Sequence, residues 1–442
     1  MENKLAQNFT ITSLLKFTAP TCIMLVFMSL YQMTDAVFVS NFVGENALSA
    51  LNIVFPIPSI IIAIAIMLAT GGSAIIAKNM GEGEPRKAKQ NFSMIVMVGI
   101  IVGFIVMIIG LLWIEPIIKI LGGTPKLYSY CYDYLFILLL ACPLTIVQML
   151  FQTFFVTASK PHLGLALTIL GGVSNIVIDY LFIVVLQMGV AGAAIGTSIG
   201  YALPAIISLL YFALNRKGTL YLIKPVFDKN VLLKTCTNGS SEMVTNLAIA
   251  IVTLLFNKIM LKYMGENGVA AITIVLYAQF LLTSIFMGFS SGIAPVFSYN
   301  YGNNNKVQIK KLFKMSVGII SVLSLAMFLI AILFATPIIS VFTSPDSEVF
   351  AITYHGFFLF SISYLFTGMN IFSSSMFTAF SNGKVSAMLS FLRTFVFLIA
   401  ALLILPELMG VDGIWLAVPI AELLAIIVSI TTIYKNKEYF QA

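Results

Sequence analysis

The sequence predicts an all-α integral membrane protein of twelve transmembrane helices, in two six-helix lobes related by a pseudo-two-fold axis along the membrane normal. Three observations carry that prediction. Of 442 residues, 60% are hydrophobic and only 9% charged, whereas soluble domains carry about 25% charged residues. Apolar runs long enough to cross a bilayer recur along nearly the whole chain. The chain also matches itself when slid by 221 residues, half its length.

A span needs roughly 20 apolar residues. Runs of that kind cover 14–39, 50–77, 91–114, 130–157, 163–187 and 189–214 in the first half. In the second they cover 236–261, 271–299, 315–340, 350–379, 385–408 and 411–434. The opening "MENKLAQNFTITSLLKF" lacks a basic stretch, a short apolar core and a small-residue cleavage site, so the first helix is expected to be retained. Pro20, Pro56, Pro58, Pro143, Pro204, Pro295 and Pro419 are placed to bend helices, which membrane helices tolerate. Cys22, Cys131, Cys142 and Cys236 form no CxxC pair and lie in or beside apolar runs. They read as packing residues, not disulfides or metal ligands. The two histidines, His162 and His355, fall near helix ends and are expected to hydrogen-bond there. Two are too few for a His-based metal site.

The net charge of +7 follows from topology. With both termini cytoplasmic, only Lys119, Lys126, Lys258, Lys262 and Arg393 of the 24 Lys and Arg fall outside the cytoplasmic segments. That is the positive-inside bias of a multi-pass protein of the cell membrane, and it removes the case for nucleic-acid binding. "GEGEPRKAKQNF" and "YGNNNKVQIKKLF" read as solvated cytoplasmic loops.

The internal repeat sets the domain plan. "GEN" at 44–46 meets "GEN" at 265–267, and Gly71, Asn79 and Gly81 meet Gly292, Asn300 and Gly302. "MGVAG" at 188–192 meets "MGVDG" at 409–413. A string of matches at one offset argues for duplication. The expected plan is a lobe over 1–214, a cytoplasmic linker over 215–235 and a second lobe over 236–442. Six helices per half leave both halves in the same orientation. Two parallel lobes flanking a cleft suit alternating access.

The repeat fails at polar positions. At the same offset Asp35 meets Phe256, Asn175 meets Val396, Asp179 meets Ala400 and Thr197 meets Val418. Asp35 falls roughly 31 Å up the first helix from the cytoplasmic end and Asp179 about 27 Å up the fifth. Thr197 falls roughly 12 Å down the sixth from the outer end. These depths converge in the outer half of the membrane. Asn175 and Asp179 share a helix face at i, i+4, as do Tyr31 and Asp35. Intramembrane acids usually mark a pathway. The oxygens of Asp35, Asn175, Asp179 and Thr197 suit a Na⁺ ion. Alternatively, two close carboxylates share a proton.

These features resemble the MATE (multidrug and toxic compound extrusion) family, over essentially the whole chain. The resemblance is carried by "QMTDAVFVSNFVGENALSALN", "ATGGSAIIAKNMGEGEPRKA", "FFVTASKPHLGL", "SNIVIDYLFI" and "MGVAGAAIGTSIG". It implies a multidrug antiporter, exporting amphipathic organic cations in exchange for Na⁺ or H⁺, with no other cofactor. It also implies an N-lobe cation site at Asp35, Asn175, Asp179 and Thr197, with Tyr31 one turn before Asp35. Other branches place acids in the seventh and tenth helices. Here Glu242 matches the seventh, while "TGMNIFSSSMFTAFSNG" in the tenth has no acid. Glu242, about 9 Å inside the cytoplasmic end, and Arg393, about 14 Å up the eleventh helix, are expected to form a buried ion pair, with a part in coupling as the alternative and Glu422 a further C-lobe candidate. The expected partners are drugs and membrane lipid, around a monomer.

Three rivals compete. A lipid-linked saccharide flippase of the same superfamily would carry a more cationic cavity, and here Arg393 is the clear intramembrane base. A major-facilitator transporter would carry a Gly-xxx-Asp-xx-Gly-Arg-Arg-like second loop in place of "KNMGEGEPRKAKQ". An integral-membrane enzyme would need a His-rich metal set or a nucleophile with its base, and neither pattern is present.

Overall fold

The computed structural model describes residues 4–440, with all their side chains except those of 32–37, 40, 41, 45 and 48. The first half comprises α1 (Ile11–Phe42), α2 (Glu45–Val54), α3 (Pro56–Gly81), α4 (Pro85–Leu112), α5 (Ile114–Ile120), α6 (Tyr128–Thr157), α7 (Pro161–Asp179) and α8 (Gly189–Leu214). α7 runs on as a π-helical turn, Tyr180–Val185. The second half comprises α9 (Lys229–Gly302), α10 (Lys306–Leu333), α11 (Ala335–Ser340), α12 (Glu348–Ser361), α13 (Tyr364–Ala379), α14 (Gly383–Phe391), α15 (Leu398–Met409) and α16 (Val411–Lys435). A second π turn, Leu392–Phe397, joins α14 to α15.

Among the described residues ten helices are long and apolar enough to cross a membrane, and the pair α12–α13, bent by 52°, makes an eleventh. The 74-residue α9 contains two spans, because Gly265 (φ 66°, ψ −155°) breaks it. Twelve crossings result. The run at 50–77 is not one helix: Phe55 divides α2 from α3, and Pro56 supplies the first residue of α3. Proline is pre-organised for that position, where its missing N–H costs nothing. Pro56 and Pro58 therefore start a helix instead of bending one. Pro20, Pro143, Pro204, Pro295 and Pro419 do lie inside helices.

The duplication is written in the backbone. Residues with positive φ recur at the repeat offset: Gly44 (105°) and Gly265 (66°), Gly83 (76°) and Asn304 (51°), Gly189 (60°) and Gly410 (62°). Glycine meets little steric cost there, so the matched glycines of the sequence are matched turns.

One buried core draws on residues 39–220 and another on residues 252–418. A third joins the halves, setting Leu5, Phe9, Leu14 and Phe17 against Phe289, Ile293 and Phe297 of α9 and Phe372 and Phe377 of α13. Glycines let backbones touch along this seam. A methyl on Gly81 would strike the carbonyl oxygen of Tyr299, and one on Gly302 would strike that of Lys78. These two contacts are repeat images of each other.

The irregular connection between the halves spans 215–228, shorter than the expected 215–235, since α9 begins at Lys229. It is anchored to the first half. Leu220 is buried in that half's core, the Leu222 amide donates to the Phe212 carbonyl (2.8 Å) and the Ile223 amide donates to Ser93 Oγ (2.9 Å). The chain end after α16 plays the same part in the second half. There Phe440 stacks on Phe313 (4.5 Å between ring centroids) and Tyr439 on Phe380 (4.7 Å).

Candidate functional site

In the first half α7 presents Asn175 and Asp179 to α8. Asp179 is fully buried and Asn175 nearly so, and Asn175 Nδ2 donates to Asp179 Oδ2 (3.2 Å). The other face of this pocket is built from absent side chains. A methyl on Gly196 would land on Asp179 Oδ1, and one on Gly200 would stand 3.0 Å from the Asn175 Cβ. The spacing "GTSIG" thus gives α8 a smooth face that admits a carboxylate and an amide. Thr197, half-buried, lies one residue beyond Gly196.

The first helix closes the third side. A methyl on Gly172 would come within 3.0 Å of the Tyr31 ring and 2.5 Å of the Phe27 ring. Tyr31 is therefore seated on α7 one turn below Asn175. Gly172, Asn175 and Asp179 share one face at i, i+3 and i+7. The side chain of Asp35, one turn beyond Tyr31 in the sequence, lies outside those described. Of the five predicted N-lobe residues, the structure thus describes Tyr31, Asn175, Asp179 and Thr197; it brings Tyr31, Asn175 and Asp179 together on one face of α7, with Thr197 on the facing helix α8.

The donor set is hard oxygen, the kind alkali cations prefer. Asn175 Oδ1 is buried without a hydrogen-bond partner among the described residues. Such an orphan normally costs about 1–3 kcal/mol, and a cation beside the Asp179 carboxylate would relieve it. The residues present therefore fit a Na⁺ ion, and the buried carboxylate equally suits a proton.

The second half corrects an expectation. Arg393 does not pair with Glu242. Its Nε and a terminal nitrogen both reach Glu422 Oε1, at 2.8 Å each, and the pair is largely buried, at 16% and 6% side-chain exposure. Asn370 Nδ2 donates to Glu422 Oε2 (2.6 Å) and to the Glu422 carbonyl (2.9 Å), while Ser429 Oγ donates to Asn370 Oδ1 (3.0 Å). Sequence reading missed Asn370 and Ser429 because neither is charged. The polar residue in each neighbouring apolar run was the only signal. Glu242, half-buried on α9, forms no ion pair among the described residues. Its carbonyl accepts from Asn246 Nδ2 (2.8 Å).

The readings of His355 as a hydrogen-bonding group and of the cysteines as unbridged hold. His355 Nε2 lies 2.7 Å from Asp412 Oδ1 at an exposed helix end. All four cysteines are free, and no cluster of His, Cys, Asp and Glu fit for a metal occurs among the described residues.

A duplicated body of twelve membrane-crossing helices, with carboxylates buried inside both halves, defines a polytopic membrane protein of transporter architecture. The chain belongs to the MatE family, whose model matches residues 20–181 and 243–403. Its relatives include the Multidrug export protein MepA of Staphylococcus aureus (strain bovine RF122 / ET3-1). That protein is 24% identical over 436 residues, covering 96% of this chain and 93% of the relative. The MepA of Staphylococcus haemolyticus is 23% identical over 429 residues, with the same coverage. Among solved structures, the outward-facing conformation of a multidrug resistance MATE family transporter superposes with a TM-score of 0.93. It is 21% identical and covers 99% of this chain and 98% of that one. A transporter of the MOP superfamily from Pyrococcus furiosus, described as having a binding pocket of reversed polarity, superposes at 0.91. It is 22% identical over 98% and 97% of the two chains. These likenesses establish the two-lobed fold.

Proposed function

We propose that the protein is a secondary active multidrug efflux antiporter of the cell membrane, with both termini cytoplasmic. It exports amphipathic organic cations by alternating access, driven by inward H⁺ or Na⁺. The observation that carries this reading is the fully buried Asp179 carboxylate, held by Asn175 in a glycine-walled pocket between α7 and α8. An intramembrane carboxylate is costly unless it serves a pathway. Asp35, Asn175, Asp179 and Thr197 would hold the cation, and Tyr31 would position the first helix beside it.

The multidrug export proteins among the relatives support the substrate class. The flippase reading asks for a net-cationic cavity, and Arg393 is neutralised by Glu422. Glu242, which interacts with Arg393 only beyond salt-bridge distance, carries a second proposal: it is an acid available to a cationic substrate in the second half.

The test is efflux of a cationic dye from proteoliposomes, with a Na⁺ gradient and a pH gradient imposed separately. Uphill dye movement under at least one gradient is expected, and its loss in Asp179→Asn. Failure of both gradients to drive dye would overturn the antiporter reading. Product formation by the purified protein without a gradient would favour an enzyme instead.

A further inference from the structure

A surface cavity lies away from the buried carboxylates, where the connection between the halves crosses the start of α4. Its volume is about 680 Å³, and its walls include Arg86, Lys89, Gln90, Tyr221, Lys224 and Val226. We infer that it is a binding site for the phosphate headgroup of an anionic phospholipid.

Its charge is uncompensated. Glu84 is engaged by Lys87 (2.8 Å) and Glu82 by Lys78 (3.7 Å). Asp228 is committed to capping α9, accepting from the amides of Asn230 and Val231. Arg86, Lys89 and Lys224 form no ion pair among the described residues. The site is also built, not merely basic. Lys89 Nζ stands 4.0 Å from the centre of the Tyr221 ring, with the Arg216 guanidinium 5.4 Å from the same ring. A single hydroxyl fixes both walls. Ser93 Oγ accepts from the Ile223 amide (2.9 Å) and donates to the Lys89 carbonyl (2.8 Å).

Position favours a lipid over a soluble phosphate. Gln90 lines the cavity, and Ile101, Phe104 and Ile108 follow it on the same face of α4 at helical spacing. Those three are about half exposed, as lipid-facing residues are. A headgroup in the cavity would send its acyl chains along that stripe. Val226 and Phe227, also exposed, follow Lys224 in the chain and add apolar surface beside the charges.

The repeat supplies an internal control. A cavity of the second half, at the start of α10 beside residues 438–439, measures about 280 Å³, and its wall includes both Lys306 and Glu438. Arg86 is replaced there by Val307 at the repeat offset. Lys306, Lys310 and Lys311 keep that position basic in the second half, but there Glu438 supplies an acid in the wall that the first-half cavity lacks.

The experiment uses purified full-length protein in mixed micelles and follows the midpoint of thermal unfolding against the mole fraction of phosphatidylglycerol. Phosphatidylcholine and soluble glycerol 3-phosphate serve as comparison ligands. The variants are Arg86→Gln/Lys89→Gln/Lys224→Gln and, as a control of equal charge, Lys306→Gln/Lys310→Gln/Lys311→Gln. A basic residue at the membrane surface contributes about fivefold in affinity. The first variant should therefore require on the order of a hundredfold more phosphatidylglycerol, and the control should stay near the native protein. If the triple variant does not fold, Arg86→Gln/Lys224→Gln, which alters only exposed side chains, should still show a shift of roughly 25-fold. Equal losses in the two triple variants would mean diffuse surface charge and overturn the site. Equal stabilisation by glycerol 3-phosphate would overturn the lipid in favour of a soluble anion.

Discussion

At the scale of single residues, the candidate site depends as much on missing side chains as on charged ones. Asp179 reaches its buried position because Gly196 leaves room for its carboxylate. Gly196→Ala should lower the unfolding temperature, by a cost of about 1–3 kcal/mol typical of overpacking, and reduce transport with it. Gly318→Ala, where nothing lies within 4 Å of the added methyl, should change neither, and equal behaviour of the two variants would refute the packing argument. Asp179→Asn keeps the shape and removes the charge, so gradient-driven efflux should vanish while membrane expression stays normal. In the second half, Arg393→Met leaves Glu422 buried without its cation. Removing one member of a buried pair typically costs about 3–5 kcal/mol. A thermal-unfolding comparison should show Arg393→Met well below the native protein, with Arg393→Met/Glu422→Gln recovering part of the loss. The buried Asn175–Asp179 pair was legible in the sequence because duplication made it an anomaly: a carboxylate matched to Ala400 at the repeat offset invites the question. The Arg393–Glu422 pairing was not legible. Which of two acids a guanidinium meets depends on how α9, the Leu392–Phe397 turn and α16 pack, and helix depth alone does not settle that.

At the scale of elements, turn glycines hold the repeat in register. Gly44, Gly265 and Gly410 combine positive φ with ψ near 176°, −155° and −136°, a region that side chains beyond glycine essentially never occupy. Gly265→Ala and Gly410→Ala should each lower stability by about 1–3 kcal/mol, although the added methyl meets nothing within 4 Å at either position. A thermal scan in which both variants match the native protein would refute the strain argument. The crossings themselves were legible from apolar run length, because a bilayer imposes that length on any helix that spans it. Their ends were less so. The break at Phe55 and the π turns at Tyr180–Val185 and Leu392–Phe397 leave no mark in hydropathy, since each exchanges one set of backbone hydrogen bonds for another among equally apolar residues. The early start of α9 was hidden for the opposite reason. Its first turns are polar, and they are fixed by the Asp228 cap and not by lipid.

At the scale of the whole molecule, the two halves meet closely at the end that carries both chain termini. Gly81 against Tyr299 and Gly302 against Lys78 bring α3 and the second part of α9 into backbone contact, and Lys78 Nζ lies 5.2 Å from the centre of the Tyr301 ring. Backbones that close leave no passage between them, so an alternating-access cycle requires this seam to part. The seam is suited to parting because few buried charges would be exposed. Its glycines gain proximity through dispersion contacts, each small and lost without an unpaired polar group. A substrate binding both arrangements equally would shift nothing. Holding the seam shut should therefore stop transport without preventing binding from the opposite side. Lys78→Cys/Tyr301→Cys, in a background with the four native cysteines replaced by alanine, joins the two helices through a short thiol-specific, disulfide-containing cross-linker. Cross-linked protein in proteoliposomes should lose gradient-driven dye efflux and recover it when the linker is cleaved with reductant, while dye binding measured by fluorescence polarisation persists. Undiminished efflux by fully cross-linked protein would mean that the halves need not separate there, and the alternating-access reading of this seam would fall.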